Sequence, residues 1–349
     1  MTISFNLPSV PGKQAGFSMV ELMVALVLGM FVTTAVLQVF VGSKQVYEFQ
    51  QEFSRMQENG RFAMNFLTED IRGTDFWGCV KGAGDAAIDA VASILNGDLS
   101  SSIYAAGLVG YNQVPAASTG YTSTFGGAGA VLPDAILLQG AWGSGVPIVA
   151  PPGINSLTQP QMPITSVEGI KQGDILLVSD CTKGVIFQVT KDPNPSNKIV
   201  FHQANGGVVN ESPGNSQNGL GVKFDGSAQV FRAEFSRYWI RPGVSGEPAL
   251  VRGTDTDAWT GGDELVDGVE NMQILYGVDL DNDKTPDYFV DADVVNTAGN
   301  MDKVVSVQIH LVVRSLRDNM SAPAPIEYYG GPEPVHDRRL RKVFMTTVA

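Results

Sequence analysis

The sequence predicts an α+β protein in which one long N-terminal helix precedes a mostly antiparallel β domain. An almost unbroken apolar run covers residues 17–41, helical spacing of apolar residues continues beyond it, and short alternating segments follow. We therefore divide the chain of 349 residues into a leader, residues 1–16, a helix, residues 17–72, and a globular domain, residues 73–349.

The apolar run is long enough to cross a membrane, because a transmembrane helix needs about 20 predominantly apolar residues. Glu21 is the one charged residue in the run. A charge at the centre of such a helix costs roughly 2.5–3.5 kcal/mol on insertion scales, so we expect a functional partner for this carboxylate. The alternative is a tolerated charge that reaches the membrane interface near the start of the helix.

The helix is predicted to continue past the membrane, with one apolar stripe and one charged face. The stripe residues recur at alternating spacings of three and four: Val46, Phe49, Phe53, Met56, Gly60, Ala63 and Leu67. Gly73 is the expected end of the helix. The alternative is an anchor followed by a separate amphipathic helix, with the break at Gly29, Gly42 or Gly60, since each glycine weakens a helix.

The remainder of the chain predicts strands joined by long loops. Residues 305–311 alternate between apolar and polar side chains, which is typical of a sheet with one buried face. The expected strands cover residues 135–139, 174–179, 185–190, 198–202, 229–240, 249–252, 272–278, 304–314 and 343–348. Residues 97–130 and 203–221 are rich in small and polar residues and are interpreted as exposed loops.

The charge distribution excludes some partners. The formal net charge is −13, and nearly all of it falls after residue 72. Such a surface repels nucleic acid and anionic lipid headgroups, so we expect no nucleic-acid partner. Lys13 gives the leader a small positive bias, which places the leader in the cytoplasm and the globular domain outside.

The two cysteines, Cys79 and Cys181, are therefore expected in an oxidising compartment. One disulfide between them is the natural prediction there. The alternative is a pair of buried free thiols, since a bridge requires Cα atoms close enough to be joined.

An acidic segment between two predicted strands is a candidate calcium site. Calcium prefers six to eight oxygen ligands, and carboxylates at alternate positions let one tight loop surround the ion. The candidate ligands are Asp279, Asp281, Asp283, Thr285 and Asp287. Lys284 and Val290 stand where an EF-hand has Gly and Glu, so the loop is not an EF-hand. The alternative is a solvated, metal-free turn.

Signals for catalysis are poor. The three histidines, His202, His310 and His336, show no metal-binding spacing, and neither a nucleophile elbow nor a P-loop is present in the sequence. We expect that the protein is not an enzyme.

The N-terminal motif Gly16-Phe17-Ser18-Met19-Val20-Glu21-Leu22 resembles the type IV prepilin signal. Further segments resemble PilW-type minor pilins: residues 57–63, 76–79 and 264–276, the aspartate-rich loop and residues 343–348. Residues 264–276, which lead into the predicted strand at 272–278, also resemble J-type minor pseudopilins. The resemblance implies a type IV pilin-like fold, with the helix packed on the β-sheet domain.

The resemblance also implies a mechanism of assembly. Gly16 is the expected cleavage site of a prepilin peptidase, Phe17 the new methylated N-terminus and Glu21 the assembly residue. The expected partners are that peptidase, other minor pilins and the major pilin, with a tip adhesin as a further candidate. Before assembly, the protein would lie in the inner membrane with a periplasmic domain. It would then join a complex that primes the pilus at its tip and supports adhesion and twitching motility.

Two alternatives remain open at this point. One is a J-like minor pseudopilin of a type II secretion system, which shares the leader and the helix. The other is a membrane-anchored, calcium-binding surface or adhesion protein that is never processed as a prepilin.

Overall fold

The computed structural model describes residues 16, 18–78, 80, 91–96, 107–121, 131–149, 158–204, 214–254, 258–320, 325–328, 331–333 and 337–349. The chain forms two compact units, a small unit of residues 1–52 and a large unit of residues 53–349.

Helix α1, Met19–Gly73, is one continuous helix. The Ser18 hydroxyl accepts the backbone N–H of Val20 at 3.3 Å, which supports the first turn. The helix ends at Gly73, where a Cβ would lie 2.6 Å from the ring of Trp142, so this position requires glycine. The predicted end is confirmed, and the alternative of two separate helices is wrong.

The buried stripe of α1 begins later than predicted. Met56, Ala63 and Leu67 are buried, as expected, whereas Val46, Phe49 and Phe53 are exposed. Gly60 also belongs to the buried part, because a Cβ there would overlap the ring of Phe344. The helical spacing thus predicts the buried residues correctly from Met56 onward.

Seventeen strands and two short helices follow α1 among the described residues. The strands are β1 (Val91–Ser93), β2 (Leu108–Tyr111), β3 (Ala135–Pro147), β4 (Gln161–Pro163), β5 (Ile175–Ser179), β6 (Gly184–Gln188), β7 (Lys191–Asn194), β8 (Ile199–Phe201), β9 (Gln229–Pro242), β10 (Pro248–Gly253), β11 (Asp263–Asp267), β12 (Val269–Val278), β13 (Tyr288–Val290), β14 (Val304–Arg314), β15 (Ile326–Tyr328), β16 (Gly331–Glu333) and β17 (Arg341–Val348). The helices are α2 (Ala116–Thr119) and α3 (Ala292–Ala298), and a 3₁₀ turn covers Met301–Lys303.

Two sheets form the framework of the large unit. The larger has eight strands around β9, which pairs with β3, β5 and β10. The smaller has the order β13-β12-β14-β17 and is antiparallel throughout. The pairing of β1 with β6 is the one parallel pair among the described strands. The prediction of a mostly antiparallel domain is confirmed.

The main hydrophobic core lies where the second half of α1 meets these sheets. Met56, Ala63 and Leu67 share a cluster with Ile274 of β12 and Leu311 of β14. A second core lies around β5 and β6 and is closed by the three-stranded sheet β4-β8-β7. The apolar stripe of α1 thus has a structural purpose, since it fixes the helix to the β domain.

Every predicted strand is present, but the interpretation of residues 97–130 as loop is wrong in part. Strand β2 and helix α2 lie inside this segment, because Leu108 and its neighbours pair with β3. The described part of residues 203–221 also contributes to the interior, since Asn215 is fully buried and bonds to the backbone of Gln188. A run of small polar residues predicts a loop. Here, the side-chain amide of Asn215 instead pairs with the backbone at the end of β6.

Candidate functional site

The N-terminal processing segment lies at the start of α1. Gly16 and Ser18 are exposed and precede the helix, and Phe17 lies outside the described residues. Glu21 is exposed in the first helical turn, where a carboxylate is favoured by the positive end of the helix dipole. The assigned roles of Gly16, Phe17 and Glu21 remain predictions, because the geometry alone tests none of them.

The small unit carries the membrane-length part of α1. It is the one described helix long and apolar enough to cross a membrane. Its large apolar side chains are exposed all round the helix: Leu22, Met23, Leu26, Val27, Met30, Phe31, Val36, Leu37 and Phe40 are examples. The hydroxyls of Thr33 and Thr34 donate to the carbonyls of Gly29 at 2.7 Å and Met30 at 2.8 Å. A helix that satisfies its own polar groups suits an apolar environment.

Polar contacts attach the second half of α1 to the β domain. Asn59 donates to both the side-chain and the backbone oxygen of Asp267, at 2.8 and 2.9 Å. Arg55 forms an ion pair with the same carboxylate at 3.0 Å. Near the helix end, the buried carboxylate of Asp70 accepts a bond from the hydroxyl of Tyr238. These contacts lock the rotation of the helix against strands β9 and β11.

A group of charged residues that sequence reasoning missed lies at the start of β12. We call it the arginine–carboxylate cluster, and its members are Glu247, Glu270, Arg314, Asp337, Arg339 and Arg341. Glu270 is fully buried and accepts bonds from Arg314 at 3.0 Å and from Arg341 at 2.6 and 3.0 Å. Arg341 also binds Asp337 at 2.5 and 2.9 Å.

The cluster ties the last strand to the centre of the smaller sheet. Burial alone would lower the pKa of Arg341 and raise that of Asp337, but their mutual hydrogen bonds outweigh burial and shift both pKa values the other way. Both groups therefore stay charged. Removing one partner from such a buried pair is costly, because it leaves an uncompensated charge inside the protein.

The acidic loop, residues 279–287, joins β12 to β13. Oxygen atoms of Asp279, Asp281 and Asp283 can all come within 4.8 Å of one another. Asp287 is not in this group, and its carboxylate accepts the N–H of Leu280 at 2.8 Å. The Thr285 backbone N–H donates to Asp283 at 2.7 Å. The structure thus gathers three of the four predicted carboxylate ligands.

The loop binds its own carboxylates through backbone donors. Asp279 accepts the N–H groups of Asn282 and Lys284, both at 2.7 Å. Burial would raise the pKa of Asp279, but these donors outweigh it and lower the pKa. The N–H of Asp283 would lower the pKa of Asp281, yet the negative charges of neighbouring aspartates raise it overall. The loop therefore retains uncompensated negative charge.

The histidines carry no site among the described residues. His202 is fully buried against the ring of Phe187, 5.2 Å away, and burial lowers its pKa to about 4. It is therefore neutral and packed in the core. His310 lies on β14 beside Gln308, with its pKa lowered by burial, and His336 lies outside the described residues.

Cys181 is not a free thiol in the structure. Cys79 lies outside the described residues, so the predicted bridge between these two cysteines stays a prediction.

A long apolar helix followed by a mostly antiparallel β domain fits the α+β layout that the resemblance to type IV pilins predicts. Comparison with known families agrees with this class at both ends of the chain. Residues 11–37 match the prokaryotic N-terminal methylation motif, and residues 237–349 match the type IV pilus-assembly protein W family. Together these two segments match a PilW-family type IV minor pilin, which confirms the resemblance seen in the sequence.

The matched C-terminal segment contains the whole smaller sheet, the acidic loop and the arginine–carboxylate cluster. No curated protein and no solved structure matches the chain. Proteins of this family are components of pilus structure and assembly. The methylation motif and the apolar helix together indicate membrane anchoring and incorporation into a pilus.

Proposed function

We propose that this chain is a minor pilin that a prepilin peptidase cleaves after Gly16 and methylates at Phe17, and that then joins a complex priming type IV pilus assembly. The observation that carries the proposal is helix α1, which begins at Met19, soon after Gly16, and whose large apolar side chains are exposed over a membrane length. Such a surface requires either lipid or neighbouring helices, and cleavage before it keeps the helix on the mature protein.

The N-terminal peptide of the membrane-purified protein tests this proposal by mass spectrometry. The expected result is a peptide that begins at a methylated Phe17. Gly16→Val should leave the leader attached, while the matched control Gly29→Ala should be processed normally, since a Cβ at Gly29 meets no other atom within 4 Å. An intact Met1 in the wild type would overturn the mechanism in favour of a membrane-anchored binding protein. A terminus near residue 43, where an ordinary secretory signal would be cut, would overturn it in favour of a free-standing binding module.

Glu21 is proposed to act in assembly rather than in cleavage. A buried carboxylate in an apolar bundle needs an opposite charge, and the methylated ammonium of Phe17 in a neighbouring position supplies one. Glu21→Gln should therefore be cleaved and methylated but be depleted from sheared pili. Recovery of the variant in pili at the wild-type level would contradict this role.

We place the protein at the pilus tip, as part of a minor-pilin complex that contacts the major pilin and holds an adhesin. The support is the size and the negative charge of the large unit, which suit low-copy use better than repetition along a thin fibre. Immunogold labelling should mark fibre ends. Deletion should abolish piliation and twitching; loss of protein secretion with normal piliation would instead assign the chain to a type II secretion pseudopilus.

We also propose that the acidic loop binds calcium through Asp279, Asp281 and Asp283. The convergence of their oxygens and the excess negative charge support this assignment. Calcium should raise the melting temperature of the wild type but not that of Asp281→Ala/Asp283→Ala. An equal loss of stability with calcium and with chelator would show that the loop acts without metal.

A further inference from the structure

A small cleft lies at the junction of β2, α2 and α3 in the large unit, away from the acidic loop. It has a volume of about 230 Å³. The residues that matter for its chemistry are Tyr111, Asn112, Ser118, Trp259, Asp293 and Asn296. We call it the β2–α3 cleft. Neither the pilin-type helix nor the arginine–carboxylate cluster contributes to it.

One side of the cleft is aromatic and held in place. The rings of Tyr111 and Trp259 meet edge to face, with centroids 5.5 Å apart. The backbone oxygen of Trp259 accepts a bond from the indole of Trp239 at 2.6 Å. The guanidinium of Arg237 lies 4.1 Å from the centre of the Trp259 ring. The partly exposed rings therefore form a rigid apolar wall before any ligand arrives.

The cleft lining also contains polar side chains rich in hydrogen-bond acceptors. The Asn112 amide donates to Asp293 at 2.9 Å, and the Asn296 amide donates to the carbonyl of Gly110 at 3.2 Å. Each amide thereby donates one N–H group, and the Oδ1 atoms of Asn112 and Asn296 stay open. The second carboxylate oxygen of Asp293 is open as well. No described residue donates to these three oxygens, so they remain available for a ligand that brings its own donors.

The charged residues around the cleft disfavour both anionic and cationic ligands. No lysine or arginine lines it among the described residues, which disfavours phosphates and other anions. A cationic ligand would suit Asp293, but Arg237 already lies on the Trp259 ring and would repel a second cation there. The wall and the acceptors instead fit a neutral ligand with an apolar face and several hydroxyls.

We propose that the β2–α3 cleft binds a single pyranose ring of a neutral saccharide. The C–H face of the sugar stacks on the aromatic wall, and its hydroxyls donate to Asn112, Asp293 and Asn296. The volume is below the range of about 300–1,000 Å³ for drug-sized ligands, so it accommodates one ring and leaves any further sugar units outside.

Saturation-transfer NMR and calorimetry on the full chain test the proposal. The protein is held in a polyoxyethylene detergent, since glycoside detergents would compete. The probes are the methyl glycosides of glucose, galactose, mannose and N-acetylglucosamine. Nα-acetyl-lysine amide, whose side-chain ammonium is free, is the cationic comparison. At least one glycoside should bind with its ring C–H protons saturated most strongly.

Variants separate the two chemistries. Asp293→Ala should weaken glycoside binding at least tenfold, and Asp293→Asn should weaken it less, because the amide keeps one acceptor oxygen. Thr297→Ala, on the same short helix but outside the cleft, is the matched control and should bind as the wild type does. Unchanged melting temperatures for these exposed positions exclude unfolding as the cause.

Three results would overturn the proposal. No glycoside binds at millimolar concentration, or Asp293→Ala leaves the glycoside affinity unchanged, or the lysine derivative binds and Asp293→Asn abolishes the binding of that derivative. None of these results bears on leader cleavage or methylation, so the proposed pilin function stands or falls separately.

Discussion

The two ends of strand β12 handle charge in opposite ways. At its start, the arginine–carboxylate cluster buries Glu270 and surrounds it with guanidinium groups. At its end, the acidic loop exposes Asp281, Asp283 and Asp287, and each of them accepts a backbone N–H group. Buried charge needs an opposite charge, whereas exposed charge is tolerated with weaker donors because water screens it. Removing one carboxylate should therefore have opposite consequences at the two ends.

Glu270→Gln is expected to cause the largest loss of stability. The change leaves Arg314 and Arg341 buried without their shared carboxylate, and the free energy of unfolding should fall by about 3–5 kcal/mol. Urea denaturation of the full chain, followed by tryptophan fluorescence, measures it. Glu234→Gln, whose carboxylate is more than a third exposed and 3.8 Å from Arg252, is the matched control and should cost under about 1 kcal/mol. Similar losses for both variants would contradict the comparison.

Asp134 is a third case, a buried carboxylate that forms no ion pair with an arginine among the described residues. Burial raises its pKa to about 7, with Asp291 and Asp293 adding to the shift, although the N–H groups of Gln113 and Ile274 oppose it. Below about pH 4 the carboxyl is protonated in both the folded and the unfolded state. As pH rises towards 7, the unfolded chain ionises while the folded protein still holds the proton, so stability falls.

Asp134→Asn should remove this dependence. Between about pH 4 and pH 7 the wild type should lose stability relative to the variant, at no more than about 1.4 kcal/mol per pH unit. Unfolding free energies measured for both proteins at several pH values give the difference. A difference that stays constant over this window would mean that Asp134 is ionised in the folded protein.

Asp281→Asn should act in the opposite direction to Glu270→Gln. In chelator, the change removes one of several mutually repelling charges and keeps the acceptor for the N–H of Asp283, so the melting temperature should rise slightly. Asp192→Asn, an exposed carboxylate that accepts the N–H of Gln172, is the control with no expected change. A clear fall in chelator would show that the loop depends on this carboxylate for a bond rather than for charge.

Arg55→Gln is expected to have the smallest effect. The ion pair with Asp267 is exposed on the arginine side, and Asn59 still holds Asp267 through two hydrogen bonds. The loss should be about 0.2–1 kcal/mol and should vanish at high salt. Arg61→Gln on the same helix is the control. A salt-independent loss above about 2 kcal/mol would assign the pair a structural role.

The sequence predicts the parts of this fold whose signal is local. The apolar run, the stripe of α1 and the nine predicted strands depend on periodicities of about 3.6 and 2, which a few consecutive residues reveal. Short strands such as β2 and β13 are missed because three or four residues carry too little pattern, and their pairing depends on distant partners.

The sites divide in the same way. The processing motif and the acidic loop are contiguous, so their chemistry is visible in the sequence. The arginine–carboxylate cluster is assembled from segments far apart in the chain, and each of its residues looks like an ordinary surface charge until β12, β14 and β17 are placed side by side. The β2–α3 cleft is hidden for the same reason, because its walls come from separate segments.

The packing of Phe344 at Gly60 has a consequence for biogenesis. Because the chain is synthesised from its N-terminus, α1 leaves the ribosome long before β17, the strand that carries Phe344. During that interval the stripe of Met56, Ala63 and Leu67 lacks part of its cover, and its apolar side chains are open to contact with other proteins. The core closes only when β17 is added, so a chain whose synthesis stops before β17 keeps an open core.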